Sequence, residues 1–322
     1  MSTTLTGVPA TPTTSRRMTR GLTWLVVRQH RAAMLCLLAL TVLGSLWILY
    51  QRAQLADLLD AAGWPAKTAP QPVTGQSYSA LTTLLGLLPG VLALFVGAPL
   101  IAADQEQGTA QLVTTQSVTR RRWLVAKLGW CFLAVLVVSV TLSVFFTWWW
   151  RSYHSVLADS WIDASVFDTT GPVLPALALF LTAAGVTIGV LLRRVLASMV
   201  ATFAVCVAVQ VAWGVLRDHL ATSRTLTYPL NGDSPALLDD AHELDRWVGS
   251  ADGHLYGWGA CAEATEKATN ACIAEKGIVN NVVEYLGYDQ MAAMQWTGAG
   301  LLLAGAAALT AFVLWRGSRR PL

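Results

Sequence analysis

Six long apolar runs constrain this chain more than any other feature of its sequence. They cover residues 32–50, 81–103, 123–150, 174–192, 196–216 and 296–315. About 20 apolar residues cross the hydrocarbon core of a bilayer as a helix, and a helix satisfies its own backbone hydrogen bonds there. The sequence therefore predicts an all-α fold, a polytopic membrane protein with six transmembrane helices.

Composition agrees with this class. Hydrophobic residues make up 54% of the chain and charged residues only 13%, whereas a soluble domain carries about 25% charged residues. The chain also holds 14 tryptophans. Several of them, such as Trp47, Trp123 and Trp296, lie near the predicted span ends, where membrane proteins concentrate Trp at the lipid headgroups.

The charges predict which side of the membrane each loop occupies. With both termini on one side, that side holds 14 of the 22 Lys and Arg residues but only two of the 19 Asp and Glu residues. Positively charged flanks stay in the cytoplasm, so both the N- and C-termini are predicted to be cytoplasmic. Arg193 and Arg194 would be costly inside lipid and are expected to form a tight turn between the fourth and fifth spans.

The chain is predicted to divide into four parts. Residues 1–31 form a cytoplasmic tail and an interfacial amphipathic helix, although its arginines also suit a simple flank that orients the first span. Residues 32–216 hold transmembrane helices 1–5 with a polar segment at 104–122. Residues 217–295 form an extracellular loop domain. Residues 296–322 hold transmembrane helix 6 and a basic cytoplasmic tail.

The loop domain is acidic and shows helical patterning at 236–248 and 260–286, so a small helical extracellular cap is expected. Cys261 and Cys272 would lie about 16 Å apart on one straight helix, which is too far for a bond. A turn near Thr269 would bring them together, and the outer face is oxidising. A disulfide is predicted, and two free thiols in a helix are the alternative.

Polar side chains are scarce within the spans. Gln210, Thr187 and Ser139 are the candidates for a substrate path, and their alternative role is a hydrogen bond to a neighbouring helix. Apolar walls without fixed charge favour a hydrophobic or amphipathic substrate, such as a drug, a lipid or a peptide. Pro89 and Pro99 predict a kinked or broken second span.

Glycines recur at helix-packing spacing within the predicted spans. They form the pairs Gly86 with Gly90 and Gly185 with Gly189, and Gly300 begins a similar small-residue series. Small residues let two helix backbones approach closely. They are expected to make contacts within the chain rather than a seam between two chains.

Catalytic motifs are missing from the sequence. There is no HExxH pair, no phosphate-binding Walker loop and no G-x-S-x-G elbow. No catalytic residue and no metal site are predicted, although His242 and His254 with Asp239 and Asp240 form a weak metal alternative. The chain is therefore not expected to be an enzyme.

The polar segment carries a family resemblance. Glu106, Gly108 and Thr109 follow the second span, then come Ser117–Val118–Thr119–Arg120–Arg121, and Lys127 with Gly129 open the third span. This order resembles bacterial permease subunits of type-2 ABC exporters. The run Ala184–Arg194 is also similar to that family, although Pro is often found near the position of Leu196. The resemblance covers residues 81–216 well and the outer loop poorly.

The resemblance implies a half-transporter in the cytoplasmic (cell) membrane. Its partners would be a separate ATP-binding-cassette ATPase, a second permease copy, identical or different, and membrane lipids, with no nucleic acid. ATP and Mg would bind to the ATPase, and this chain would bind no cofactor. The segment between spans two and three would form a coupling helix seated in the ATPase. The residues expected to couple are Asp104, Glu106, Gly108, Thr109, Leu112, Arg120 and Arg121.

The residues themselves fit this reading. Residues 105–115 can form a short amphipathic helix, and Asp104 and Glu106 near its start suit the helix dipole. Both acids could also meet basic residues on a partner. An ordinary charged loop remains the alternative for the segment. For the whole chain, the alternatives are a non-transporting membrane scaffold or sensor with an extracellular ligand-binding cap, or an intramembrane enzyme.

Overall fold

The structure, a computed structural model, describes residues 31–67, 75–108, 119–157 and 159–319. Among these residues, six helices are long and apolar enough to cross a membrane. They are span 1 (Arg31–Ala62), span 2 (Gln76–Glu106), span 3 (Arg120–Val156), span 4 (Val173–Leu192), span 5 (Val195–Arg217) and span 6 (Tyr288–Arg319). Each predicted apolar run lies inside one of these helices, so the six-span membrane part is confirmed. The proposed surface helix falls within residues 1–30, outside the described part of the chain.

Span 4 is the centre of the bundle. It is the most buried of the six helices, and it packs against spans 2, 3, 5 and 6. Its Leu174, Leu177 and Leu181 belong to the main hydrophobic core. Span 4 is therefore surrounded by protein, whereas much of span 1 and span 5 faces outwards.

Glycines bring span 4 close to span 2. A Cβ atom on Gly185 would lie 2.7 Å from the carbonyl oxygen of Ala93, and one on Gly189 would overlap the carbonyl oxygen of Ala98. Only glycine allows this approach of two backbones. The expected packing role is correct for this pair. Gly86, Gly90 and Gly300 show no such close approach, since a Cβ placed there would meet no described atom outside the local helix backbone within 4 Å.

Span 2 is not a continuous α-helix. An α-helical part (Gln76–Leu92) passes into a π-helical turn (Ala93–Gly97), and a second α-helical part (Pro99–Glu106) follows. Pro99 stands at the start of that second part, where its missing N–H costs little. The predicted break in the second span is confirmed, and it takes the form of a π-helical turn at the contact with span 4.

Because consecutive spans alternate in direction, two ends of the bundle can be distinguished. The basic end carries Arg120, Arg193, Arg194 and Arg316. The sheet end carries the domain inserted between spans 5 and 6. The charge pattern predicts that the basic end faces the cytoplasm.

The inserted domain is built around a sheet and not around helices. Its strands are β1 (Arg224–Pro229), β2 (His242–Ser250), β3 (Leu255–Gly257) and β4 (Ile278–Leu286). They form an antiparallel sheet in the order β1-β4-β2-β3. The expected helical cap is therefore wrong. Residues 236–248 and 260–286 contain many Ala, Leu, Glu and Asp, but pairing between distant strands overrides this local helix preference.

One helix of the inserted domain does lie where helical patterning was seen. It runs over Glu266–Glu275, and the Thr265 side chain caps it by accepting a hydrogen bond from the Ala268 N–H at 3.3 Å. None of its residues is buried. A disulfide between Cys261 and Cys272, whose Cα atoms lie 5.6 Å apart, fastens this helix beside the sheet.

Candidate coupling site at the basic end

An ion pair buried in protein joins span 2 to span 3 at the basic end. The Lys127 ammonium group contacts the Asp104 carboxylate, and the exposed fractions of these residues are 1% and 5%. Lys127 also donates to the Leu100 carbonyl oxygen at 3.2 Å, and its Nζ atom lies 5.0 Å from the centre of the Trp123 ring. A charge out of water is costly unless it is paired and hydrogen-bonded. The pair therefore fixes span 3 against the last turns of span 2.

A second contact joins span 2 to the turn between spans 4 and 5. The Glu106 carboxylate accepts a hydrogen bond of 2.8 Å from the Val195 N–H, the first N–H of span 5. The first N–H groups of a helix have no partner within the helix, and a negative charge there also favours the helix dipole. Glu106 therefore caps a neighbouring transmembrane helix rather than its own.

The turn itself is as tight as the sequence predicted. Span 4 ends at Leu192, Arg193 adopts a left-handed conformation with φ of 58°, and Arg194 is extended. Span 5 begins at the next residue. Two residues thus reverse the chain, and the N-terminus of span 5 lies beside the end of span 2.

The predicted coupling residues divide into described and undescribed ones. Gly108 follows span 2 with φ of +70°, a conformation that glycine adopts without strain. Arg120 and Arg121 begin span 3. Thr109 and Leu112, and most of the expected amphipathic helix, lie outside the described residues.

The two acids among the predicted coupling residues contact other spans of the same chain. Asp104 is buried against Lys127, and Glu106 contacts the span 5 backbone. Their contacts therefore lie within the chain. From the sequence, Lys127 is identifiable only as a charge and a motif position, because its pairing with Asp104 depends on how spans 2 and 3 pack.

The three candidates for a substrate path make ordinary helix contacts. The Ser139 hydroxyl donates to the Val135 carbonyl oxygen, and the Thr187 hydroxyl donates to the Ala183 carbonyl oxygen, each at 2.7 Å. Gln210 of span 5 donates to the Gly86 carbonyl oxygen of span 2 at 3.4 Å. These contacts agree with the alternative role of local hydrogen bonding. They give no separate support to a path.

An apolar cleft lies beside the buried ion pair. It has a volume of about 250 Å³ and lies between spans 1, 2 and 3. Leu37, Phe95 and Trp130 are among its lining residues, and Lys127 is the one charged residue among the described residues of the lining. The cleft is therefore lined almost entirely by apolar side chains.

At the sheet end, a second polar cluster holds the loop between spans 3 and 4. Asp168 accepts hydrogen bonds from the Trp213 indole N–H at 2.8 Å and from Arg217 at 3.3 Å. Burial raises the pKa of Asp168, and Arg217 and the Trp213 N–H only partly oppose this. Gln295 of span 6 donates to the Phe167 carbonyl oxygen at 3.1 Å and to the Thr170 hydroxyl at 2.8 Å. This cluster was not predicted, although an isolated Asp in an apolar stretch was a possible signal.

Metal-binding groups are not assembled in the described part of the chain. No three His, Cys, Asp or Glu side chains there are close enough together to hold a metal ion. His242 and His254 lie in the sheet domain, and His254 packs against Tyr256 instead. The weak alternative of a metal at these residues therefore gains no support.

Comparison with known proteins agrees with this architecture. The model of the family described as "ABC-2 membrane transporter related" matches residues 37–217, which include most of span 1 and all of spans 2–5. No curated protein and no solved structure matches the chain. The matched region covers more than half of the 322 residues and includes the whole candidate coupling site. The chain is thus a multi-pass membrane protein that belongs to the ABC-2 membrane transporter related family.

Proposed function

We propose that this chain is the transmembrane permease subunit of an ATP-binding-cassette exporter. It moves a hydrophobic or amphipathic substrate, such as a drug, a lipid or a peptide, across the cytoplasmic membrane. A separate ATPase subunit binds ATP and Mg and drives the movement through the segment 104–122. Family membership supports a permease-like transport role, and the coupling, substrate and direction are our proposals.

The observation that carries the proposal is the junction at the basic end. Asp104 connects the start of the segment to span 3, and Glu106 connects it to span 5. A displacement of the segment would therefore act on spans 2, 3 and 5 together. Rigid-body shifts of this kind are a usual way to transmit a conformational change.

In this proposal, the two acids anchor the segment to the spans rather than bind the ATPase. The other residues of the segment 104–122 would then contact the ATPase. Arg120 and Arg121 at its end can contact phospholipid headgroups on the cytoplasmic side.

A second permease copy would complete the pathway. An outward-facing stripe on span 5 supports this, since its large exposed residues recur at helical spacing. They are Leu196, Val200, Phe203, Val207, Val211 and Val215. Gly86 and Gly90 of span 2 have open space above them, so two backbones could approach there. The second copy can be identical or different.

The test is co-purification with an ATP-binding-cassette ATPase, beginning with any that is encoded beside this chain. We expect a stable complex whose ATP hydrolysis is coupled to transport. The double variant Glu106→Ala with Gly108→Leu should lose the ATPase or uncouple hydrolysis from transport. Glu106→Ala removes the cap on span 5. Gly108→Leu places a side chain on a residue with positive φ, which strains the backbone.

A matched control makes the same changes at the sheet end. Glu263→Ala also removes an exposed acid. Gly253→Leu also places a side chain on a glycine with positive φ, here +87°. This control should keep coupled hydrolysis. If no ATPase binds, or if both double variants behave as the wild type, the coupling proposal is wrong. A membrane scaffold or sensor whose sheet domain binds a ligand would then be the better explanation.

A further inference from the structure

A polar cavity lies at the sheet end, away from the coupling site. It has a volume of about 270 Å³. The end of span 3, the loop that follows it, the turn before β2 and the first residue of span 6 all contribute to it. Neither the family match nor the proposed transport role assigns a ligand to this cavity.

One wall of the cavity is aromatic. Tyr288 is central to it, with ring-centre distances of 5.3 Å to His154, 6.0 Å to Trp150 and 6.3 Å to Trp161. The faces of Trp and Tyr rings carry negative charge density and attract organic cations, ammonium groups in particular. Such a wall suits a cation that is only weakly hydrated.

The other wall is acidic. Asp159, Asp239 and Asp240 line the cavity, and no Lys or Arg is among the described lining residues, although Arg151 is near enough to act on Tyr288 electrostatically. No ion pair involves these three acids within the described part of the chain. The Asp240 backbone is held in place by the Trp161 indole, which donates to its carbonyl oxygen at 2.9 Å. The cavity therefore has a fixed negative charge beside the aromatic wall.

Trp150, one of the residues that line this cavity, carries an unused hydrogen-bond donor. Trp150 is only 2% exposed. Its indole N–H has no hydrogen-bond partner among the described residues. A buried donor without a partner is costly, typically about 1 to 3 kcal/mol. A ligand with an oxygen atom close to its cationic group would supply the missing acceptor.

A metal ion explains these features less well. The three carboxylates do not come together closely enough to form a metal site within the described residues. A hard cation such as Ca²⁺ needs six to eight oxygen ligands at about 2.4 Å. Aromatic rings offer it no ligands, whereas an alkylammonium group uses both walls.

We propose that this cavity binds a small alkylammonium group, between the Tyr288 aromatic wall and the Asp239–Asp240 acidic wall. The group can belong to a soluble amine or to a lipid headgroup. An oxygen atom near the nitrogen, as in an amino alcohol, would accept from Trp150. The proposal concerns binding only, so it holds or fails independently of the ATPase and of transport.

The test is isothermal titration calorimetry on the full chain in detergent. Tetramethylammonium and choline are the ligands, and sodium chloride at equal ionic strength is the blank. We expect saturable binding of both cations, with choline binding more tightly because its hydroxyl can accept from Trp150. Calcium chloride should give no saturable heat.

Variants assign the binding to the two walls. Tyr288→Leu should weaken binding at least about tenfold, whereas Tyr288→Phe keeps the ring face and should retain it. Asp239→Asn with Asp240→Asn should also weaken binding about tenfold or more. Both acids are exposed and form no ion pair, so the double variant should fold. Asp233→Asn, an exposed acid of the same domain outside the cavity, is the control and should bind as the wild type does.

The source of the ammonium group is found by repeating the titration in lipid nanodiscs. If phosphatidylcholine in the disc blocks choline binding and phosphatidylglycerol does not, the site accepts a lipid headgroup. If neither lipid blocks it, the ligand is a soluble amine. The proposal is wrong if tetramethylammonium gives no saturable heat, if calcium binds more tightly, or if the Tyr288→Leu and double Asp variants bind unchanged.

Discussion

The ammonium group of Lys127 in span 3 contacts the carboxylate of Asp104 in span 2, and both residues are shielded from water. The pair is flanked by the apolar cleft between spans 1, 2 and 3. Each charge is tolerated there because the other is present. Spans 2 and 3 otherwise meet through apolar side chains. The ion pair therefore fixes the register of one span relative to the other.

Breaking the pair on one side should destabilise the protein strongly. We expect Lys127→Met to lower the free energy of unfolding by about 3 to 5 kcal/mol, because Asp104 then loses its ammonium partner in a buried site. Thermal unfolding in detergent measures this. Asp104→Leu with Lys127→Met is the matched control, and it should recover most of the loss. Equal losses in the single and double variants would contradict the role given to the pair.

The contact between spans 4 and 2 should not accept a methyl group. Gly185→Ala places a Cβ atom 2.7 Å from the Ala93 carbonyl oxygen, and overpacking of this kind costs about 1 to 3 kcal/mol. Gly300→Ala is the control, since no described atom lies within 4 Å of its Cβ position. It should be neutral or slightly stabilising, because alanine is the better helix former. The melting temperatures of the two variants test this. The prediction is wrong if Gly185→Ala melts no lower than Gly300→Ala.

The disulfide should hold the helix Glu266–Glu275 in place. This helix buries none of its residues, and closing a short loop by a disulfide contributes about 2 to 3 kcal/mol. We expect Cys261→Ser with Cys272→Ser to make residues 259–277 exchange their amide hydrogens faster. Spans 1–5 should exchange as in the wild type. Unchanged exchange in the helix would mean that the disulfide is not needed for its order.

Asp168 should make stability depend on pH. Burial raises its pKa above that of an unfolded chain, so the folded protein holds the proton more tightly. The stability from protonated Asp168 is complete below pH of about 4 and is lost as the pH rises through the raised pKa. The slope of melting temperature against pH from 4 to 7 should flatten in Asp168→Asn. It should remain in Asp233→Asn, and an unchanged slope in Asp168→Asn would assign the pH dependence to other groups.

The membrane part could be predicted from the sequence because the bilayer sets a length and a polarity for each span. The run 174–192, for example, differs from the helix Val173–Leu192 by one residue. Positive charge at Arg193 and Arg194 likewise identified a turn that the structure contains. These features depend on nearby residues alone.

The sheet could not be predicted as easily, because its strands pair with distant residues. β2 pairs with β4, which begins about 30 residues later, after β3, the disulfide and a helix. A local signal was nevertheless present. Gly277 has φ of +60° and follows the helix, and β4 contains Ile278, Val279, Val282 and Val283, which favour strands. Similarly, the sequence singles out Glu106 as a candidate coupling residue, but its contact with Val195 depends on how distant spans pack.

The short length of span 4 has a further consequence. Span 4 contains 20 residues and span 1 contains 32, which at about 1.5 Å per residue correspond to about 30 Å and 48 Å. Span 1 therefore extends beyond the end of span 4. Leu55 and Leu59, near the end of span 1, share a core with Trp161 and Phe167 of the loop before span 4. The loop before span 4 therefore packs against the end of span 1, in the same hydrophobic core as Leu174 at the start of span 4.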